Sequence, residues 1–161
     1  MNTKYSYETP IGNAGGIYDL SPRTVVSRLL EGTGVHFGCA VEVGTDAGVE
    51  VKAVSSSTAA IEGIVVYEAG HEMDKNGKVE LTDGQALSIM TRGKIIVPLS
   101  DSATEELAYG QDVYLVTQYD AKPDNVGCFT DNADETADKK IQINAKFISK
   151  AQDGLAVIEL A

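Results

Sequence analysis

The sequence has few of the side chains that bind metals or act as general bases. Its 161 residues include no tryptophan, two cysteines and two histidines. Cys39 and Cys128 do not form a C-x-x-C pair, so no zinc site is predicted. A disulfide between them is open in principle, and two small buried thiols in a reducing compartment are the favoured interpretation. His71 is followed by Glu72, but Lys75 stands where a zinc-protease H-E-x-x-H motif needs its second histidine.

Positive charge and long apolar runs are also scarce. Lys and Arg number 13 against 24 Asp and Glu, which gives a net charge of −11. A surface this acidic repels phosphate backbones and anionic lipid headgroups, so we expect no nucleic-acid and no membrane partner. The apolar run at Ile64–Tyr67 is far shorter than the roughly 18 residues of a membrane-spanning helix. The first ten residues lack an apolar core, so we expect no secretory signal.

Catalytic motifs are missing as well. Gly12–Gly16 is not followed by Lys-Ser/Thr, as a phosphate-binding loop requires, and Ser55–Ser57 does not lie in a G-x-S-x-G turn. Residues 131–138 are rich in Asp, but they lack the register of a calcium-binding loop and are interpreted as a solvated loop. The sequence therefore predicts no catalytic, cofactor-binding or metal-binding residues, and a protein that is not an enzyme.

What the sequence does contain is a β pattern from Val35 onward. Short runs rich in Val, Ile, Thr and Tyr alternate with Gly, Asp and Asn turns at intervals of about ten residues. Gly93 separates two of the runs and is interpreted as a tight turn or a bulge. Strands are predicted at residues 39–43, 49–54, 61–67, 86–91, 93–98, 112–118, 126–130, 140–148 and 154–160. Many short strands without alternating helices predict a mainly β fold, a small antiparallel β-barrel or sandwich.

The N-terminal part of the chain differs from the rest. Residues 1–20 show no helical or alternating period, and their glycines and proline predict an extended N-terminal arm. Residues 21–34 form a connection: Ser21-Pro22 favours the start of a short helix, whereas Thr24–Val26 suits a strand, which is slightly favoured. Residues 35–161 are predicted to form the β-barrel or sandwich domain.

Residues 1–20 contain more large apolar and aromatic side chains than a free tail usually has. A leader without a role would explain the arm, but tyrosines are favoured at interfaces, which suggests an arm that orders on a partner. The candidate contact residues are Tyr5, Tyr7, Ile11, Ile17, Tyr18 and Leu20.

Several motifs occur in an order that resembles one protein family. The opening has Val26-Ser-Arg28, Glu31-Gly32, Phe37-Gly38 and Ala40-Val41, and later parts contain further short matches. These later matches are Ile61–Ile64, Gly84–Met90, Arg92–Val97, Tyr109–Tyr114, Val126–Thr130 and Gly154–Leu160. In this order and over nearly the whole chain, the sequence resembles the capsid cement proteins, or head decoration proteins, of tailed bacteriophages.

The resemblance implies a role on the phage capsid. Such proteins form trimers on the capsid exterior between hexamers of the major capsid protein, and their N-termini clamp neighbouring subunits after the shell expands. It therefore implies a homotrimer that assembles in the host cytoplasm and resides on the virion, with the major capsid protein as partner. Two alternatives stay open: another virion β module of the tail, baseplate or receptor-binding or carbohydrate-binding apparatus, and a small β-barrel enzyme or ligand carrier.

Overall fold

A computed structural model describes residues 10–71, 79–104 and 106–161 of the chain. The described residues form nine strands and one short 3-10 helix, Pro123–Asn125. The strands are β1 Thr24–Glu31, β2 Ala40–Val43, β3 Glu50–Ala53, β4 Ile61–Val65, β5 Ala86–Pro98, β6 Asp112–Gln118, β7 Phe129–Thr130, β8 Lys139–Phe147 and β9 Leu155–Leu160. The prediction of a mainly β fold is confirmed. Within these ranges, no helix has the length and apolar character needed to span a membrane.

Five strands close into a barrel. Their order is β1-β3-β2-β4-β5, and pairing between β5 and β1 closes the ring. The β1–β3 pair is parallel and the other pairs are antiparallel. Side chains that alternate along these strands share one core with residues of the connecting loops. This barrel core consists of Leu30, Val35, Phe37, Val41, Val51, Val65, Leu81, Leu87 and Ile89.

The remaining strands form an antiparallel sheet beside the barrel. Its order is β5-β9-β8-β6-β7, and a bridge between Leu99 and Phe129 brings β7 back toward the end of β5. A second core lies between this sheet and the barrel wall. Ile64 and Met90 of the barrel strands join Phe129, Phe147 and Ile158 of the sheet in this core, and all five are almost fully buried.

Strand β5 belongs to both sheets. Residues 86–92 pair with β1 and β4 of the barrel, whereas residues 93–98 pair with β9. Gly93 lies at the transition with φ +127°, and the β1 register shifts beside it, because Thr24 pairs with Arg92 and Val25 with Met90. The two strands predicted on either side of Gly93 are therefore one strand, and the bulge interpretation is correct at this point.

The described part of the arm lies against the domain. Gly15 N–H donates to the Ile96 carbonyl (2.7 Å), and Ile96 N–H donates to the Gly16 carbonyl (2.9 Å). Tyr18 N–H donates to the Lys94 carbonyl (3.2 Å), and Ile17 forms an antiparallel bridge with Ile95. Residues 15–18 thus occupy the edge of β5 next to the stretch that β1 covers. The connection predicted over residues 21–34 contains a strand, β1, and no helix. The division of the chain at residues 20 and 34 stays a prediction about which parts fold independently.

Two further expectations need correction. Of the strand predicted at 126–130, only Phe129–Thr130 is a strand, because the 3-10 helix and Gly127 at φ +87° form a turn before it. The loop at residues 131–138 is not solvated throughout. Asp138 is buried, and its Oδ1 lies 2.6 Å from Lys140 Nζ while its Oδ2 accepts a hydrogen bond from Ser102 Oγ. A buried carboxylate needs such partners, since burial without them is costly.

Candidate functional site

The candidate contact residues that the structure describes lie at the surface. Tyr5 and Tyr7 are outside the described residues. The side chains of Ile17, Tyr18 and Leu20 are 40%, 51% and 93% exposed, and Ile11 is half-buried. Leu20 is thus a large apolar side chain almost fully in contact with solvent, which does not contribute to the core.

The exposure of Leu20 follows from the path of the backbone. After Tyr18 the chain leaves the edge of β5, and it returns at Thr24, which pairs with Arg92. Residues 19–23, the Leu20 turn, therefore project between two stretches that are both hydrogen-bonded to the same strand.

Asp19 fixes the shape of the Leu20 turn. Its Oδ1 accepts hydrogen bonds from Ser21 N–H (2.9 Å) and from the Ser21 hydroxyl, and its Oδ2 lies 3.1 Å from Lys94 Nζ. The hydrogen bonds from Ser21, and then the Lys94 ammonium, lower the pKa of Asp19 to about 2. Ser21 thus closes an Asx turn with Asp19 and does not cap a helix, which is why the helix signal at Ser21-Pro22 is not realised.

Two of the candidate residues meet in a groove. Ile11 and Tyr18 line a surface groove of about 520 Å³ together with Pro10 and Ser149–Gln152. This arm groove lies between the arm and the loop that precedes β9. Ile17 and Leu20 are not among its lining residues, so the candidates divide into a groove pair and a projecting turn.

Glycines hold the arm close to the domain. A Cβ on Gly15, which has φ +81°, would lie 2.7 Å from Tyr67 N and Val65 O. A Cβ on Gly12 would lie 2.9 Å from Ile96 Cδ1. Only glycine permits this approach and this backbone conformation at position 15. In the described residues, the arm glycines therefore allow close packing over Ile96.

Sequence reasoning missed a second group of exposed apolar side chains. Val25, Leu29 and Val49 on the barrel are 40–45% exposed, and Tyr109 before β6 is 81% exposed. In a strand over residues 24–31, Val25, Ser27 and Leu29 lie two residues apart and share one face. That spacing is the signal in the sequence for an outward-facing group.

The two histidines do not form a catalytic arrangement with each other. His36 Nδ1 lies 3.4 Å from the Val79 carbonyl oxygen, and His71 Nδ1 lies 3.4 Å from Gln85 Nε2. The His71 ring also packs edge-on against Phe37, with ring centroids 5.3 Å apart. Among the described residues, no group of three or more His, Cys, Asp or Glu side chains could hold a metal ion.

Comparisons with known proteins place these features in a family. A search of curated protein sequences gives no match. The fold is similar to that of a chain in the capsid of Myoviridae phage XM1, with a TM-score of 0.71 and 19% sequence identity over 99% of this chain and 96% of that chain. The model of the family described as structural cement protein (E217 gp24/Pam3 gp6) matches residues 1–161. Because this match spans the whole sequence, the chain belongs to the family of phage structural cement proteins.

Proposed function

We propose that the protein binds the outer surface of a phage capsid and cements the expanded shell by bridging subunits of the major capsid protein. In this proposal it acts as a homotrimer, has no enzymatic activity, assembles in the host cytoplasm and remains on the virion. The observation that carries the proposal is the Leu20 turn, where Leu20 is 93% exposed on a backbone fixed by Asp19 and Ser21. Family membership supplies the context of a capsid.

The exposed apolar side chains suit an anchoring role. Burial of Leu20 and Tyr18 in a capsid groove would contribute a few kcal/mol at roughly 25 cal/mol per Å² of apolar surface, less the cost of ordering their side chains. The Asx turn lowers this cost, because the backbone that carries Leu20 is already fixed before binding. Three such contacts in one trimer would add to each other through avidity.

Charge supports a protein partner. The net charge of −11 keeps many free copies soluble and disfavours the phosphate backbone of packaged DNA as a ligand. The Leu20 turn is apolar at its tip and has an ion pair, Asp19–Lys94, at its base. Such a surface fits an apolar groove with a polar rim.

Addition of the protein to purified expanded capsids that lack it would test the proposal. We expect the full chain to saturate the capsids at a fixed number of copies and to raise the temperature at which the shells disassemble. A chain without residues 2–9, which retains all described N-terminal residues, should bind at least tenfold more weakly if Tyr5 and Tyr7 are anchors. No binding of the full chain to expanded capsids would contradict the proposal.

Mass measurement in solution would test the trimer separately. We expect about three chains per particle at micromolar concentration, because the resemblance to cement proteins implies a trimer and three identical subunits can close into a threefold ring. A stable dimer would contradict the threefold arrangement.

A further inference from the structure

The fold brings the two cysteines of the chain together. Cys39 directly precedes β2 of the barrel, and Cys128 directly precedes β7 of the sheet. Ala40 N–H donates a hydrogen bond to the Gly127 carbonyl (3.1 Å), so the two backbone segments are neighbours at these residues. A Cβ on Gly127 would lie 3.3 Å from Cys39 Cβ and 3.7 Å from Cys39 Sγ. The two thiols are free, and the Cys128 Sγ lies 3.7 Å from the Asp124 carbonyl oxygen.

A cavity leads to both sulfurs. Each cysteine residue is less than a tenth exposed, but both line an open cavity of about 420 Å³. Asn13 and Ala14 of the arm form part of its wall, together with the Phe37 and Tyr67 rings. Both cysteine residues thus border the same open cavity, through which we expect a thiol reagent to reach them.

We propose that Cys39 and Cys128 form an intramolecular disulfide when the protein meets a disulfide oxidant such as glutathione disulfide, and that this bond links the barrel to the neighbouring sheet. The sequence contains no other cysteine, so this is the one disulfide that a single chain can form. The thiols are expected to stay reduced in a cytoplasm and to be oxidised in the medium outside the cell. The inference does not depend on capsid binding.

The reaction balances as two thiol–disulfide exchanges. Cys39 loses its proton, its thiolate attacks one sulfur of glutathione disulfide, and the released glutathione thiolate takes up a proton. The Cys128 sulfur then attacks the mixed disulfide at Cys39, forms the protein disulfide and releases a second glutathione. The protein loses two protons and two electrons, and glutathione disulfide is reduced to two glutathione molecules. The hydrogen bond with Cys39 and burial raise the pKa of the Cys128 thiol, which makes Cys39 the first nucleophile.

The bond would restrict the unfolded chain. It closes a loop over residues 39–128, which contains β2 to β6: four of the five barrel strands and two of the five strands of the neighbouring sheet. Long closed loops give the largest loss of entropy in the unfolded ensemble. We therefore expect the oxidised protein to be the more stable form.

The test uses the reduced full chain incubated with glutathione disulfide. Thiols counted in denaturant should fall from two to none, the intact mass should drop by two hydrogen atoms, and the chain should remain free of intermolecular disulfides. The melting temperature should rise by at least about 5 °C. Dithiothreitol should reverse the changes in thiol count, mass and melting temperature.

Cys39→Ala and Cys128→Ala variants are matched controls, since each keeps one thiol in the same cavity. Neither should gain stability on oxidation, because neither can form the intramolecular bond. The proposal is overturned if the folded chain keeps both thiols while the unfolded chain is oxidised, or if each sulfur carries its own glutathione. A disulfide that forms and lowers the melting temperature would overturn the linking role.

Discussion

Two adjacent parts of the N-terminal segment differ in how their backbone meets the domain. In residues 12–18, the backbone is hydrogen-bonded to β5, and Gly15 is buried against Tyr67 and Val65. In residues 19–23, the Leu20 turn has no pairing with β5, and Leu20 is 93% exposed. Both parts contain large apolar or aromatic residues, Ile17 and Tyr18 in the first and Leu20 in the second. Backbone pairing fixes residues 15–18 on β5, whereas the unpaired backbone of residues 19–23 carries Leu20 out into solvent.

Residues 15–18 and the Leu20 turn therefore have separate roles. Residues 15–18 cover an edge of β5 and, with Gly12, cover Ile96, which is 4% exposed and belongs to neither core. Removal of these residues should therefore affect folding, whereas changes at the tip of the Leu20 turn should affect binding.

The largest expected effect comes from a truncation that removes the paired residues. Deletion of residues 2–18 would expose Ile96 and leave the edge of β5 without its three arm hydrogen bonds. Burial of an isoleucine contributes about 1.5–3 kcal/mol and each of the three hydrogen bonds about 1 kcal/mol, so we expect a loss of about 4.5–6 kcal/mol. Urea unfolding followed by circular dichroism would measure it.

Deletion of residues 2–9 is the matched control for that truncation. It should leave the unfolding midpoint close to that of the full chain, because it removes none of the contacts described above. Equal midpoints for the two truncations would show that the paired residues do not stabilise the domain.

A single methyl group at Gly15 should have the next largest effect. Gly15→Ala would place Cβ 2.7 Å from two main-chain atoms at φ +81°. Left-handed strain and overpacking together cost about 2–4 kcal/mol. Gly48→Ala is the control, because Gly48 has φ +85° and open space around its Cα, so it isolates the backbone cost of about 1 kcal/mol. If both variants lose the same stability in urea unfolding, close packing at Gly15 does not matter.

Much of the fold could be predicted because a strand has a period of two. The alternation of Ile141, Ile143, Ala145 and Phe147 located β8, and the Val113–Thr117 pattern located β6. The single strand β5 could not be predicted, because a glycine at position 93 indicates the end of one strand and the start of another. β5 continues through Gly93 because it pairs with β1 before this residue and with β9 after it. Both partner strands are far from β5 in the sequence.

The site was less predictable. The choice of Tyr18 and Leu20 followed from apolar residues in a segment without a period, but which of them projects depends on long-range pairing with β5. The turn at Asp19–Ser21 can be predicted locally, because an Asp side chain commonly accepts a hydrogen bond from the backbone N–H two residues later and forms an Asx turn. The contact between Cys39 and Cys128 has no local signal, since it depends on how the barrel meets the sheet.

Loss of the Leu20 side chain should affect binding without affecting folding. Leu20→Ser should weaken binding to expanded capsids at least tenfold, or about 1.4 kcal/mol per contact, and should leave the urea midpoint unchanged. Val49→Ser is the control, because Val49 is also exposed, at 45%, but lies on the barrel. Titration of labelled protein onto capsids would measure both. Equal binding of the two variants would show that the Leu20 turn is not a specific anchor.

The smallest effect concerns the ionisation of Asp19. Its pKa is lowered from 3.8 to about 2, first by the hydrogen bonds from Ser21 and then by Lys94. Because the folded state has the lower pKa, the contribution of Asp19 to stability is fully present above about pH 4 and is lost as the pH falls through about 2. Carboxyl NMR titration should therefore give a midpoint near 2 in the full chain. Ser21→Ala, which removes the hydroxyl hydrogen bond but keeps the backbone N–H, and Lys94→Ala should each raise this midpoint.

Asp134 serves as an internal reference in the same spectra. Hydrogen bonds from Thr136 lower its pKa in the same way, and it has no contact with Ser21 or Lys94 among the described residues. Its midpoint should stay constant in both variants. If Lys94→Ala shifts Asp19 more than Ser21→Ala does, the ion pair holds the Leu20 turn. In that case raised salt concentration should loosen the turn, because salt screens exposed ion pairs more than it weakens a short-range hydrogen bond.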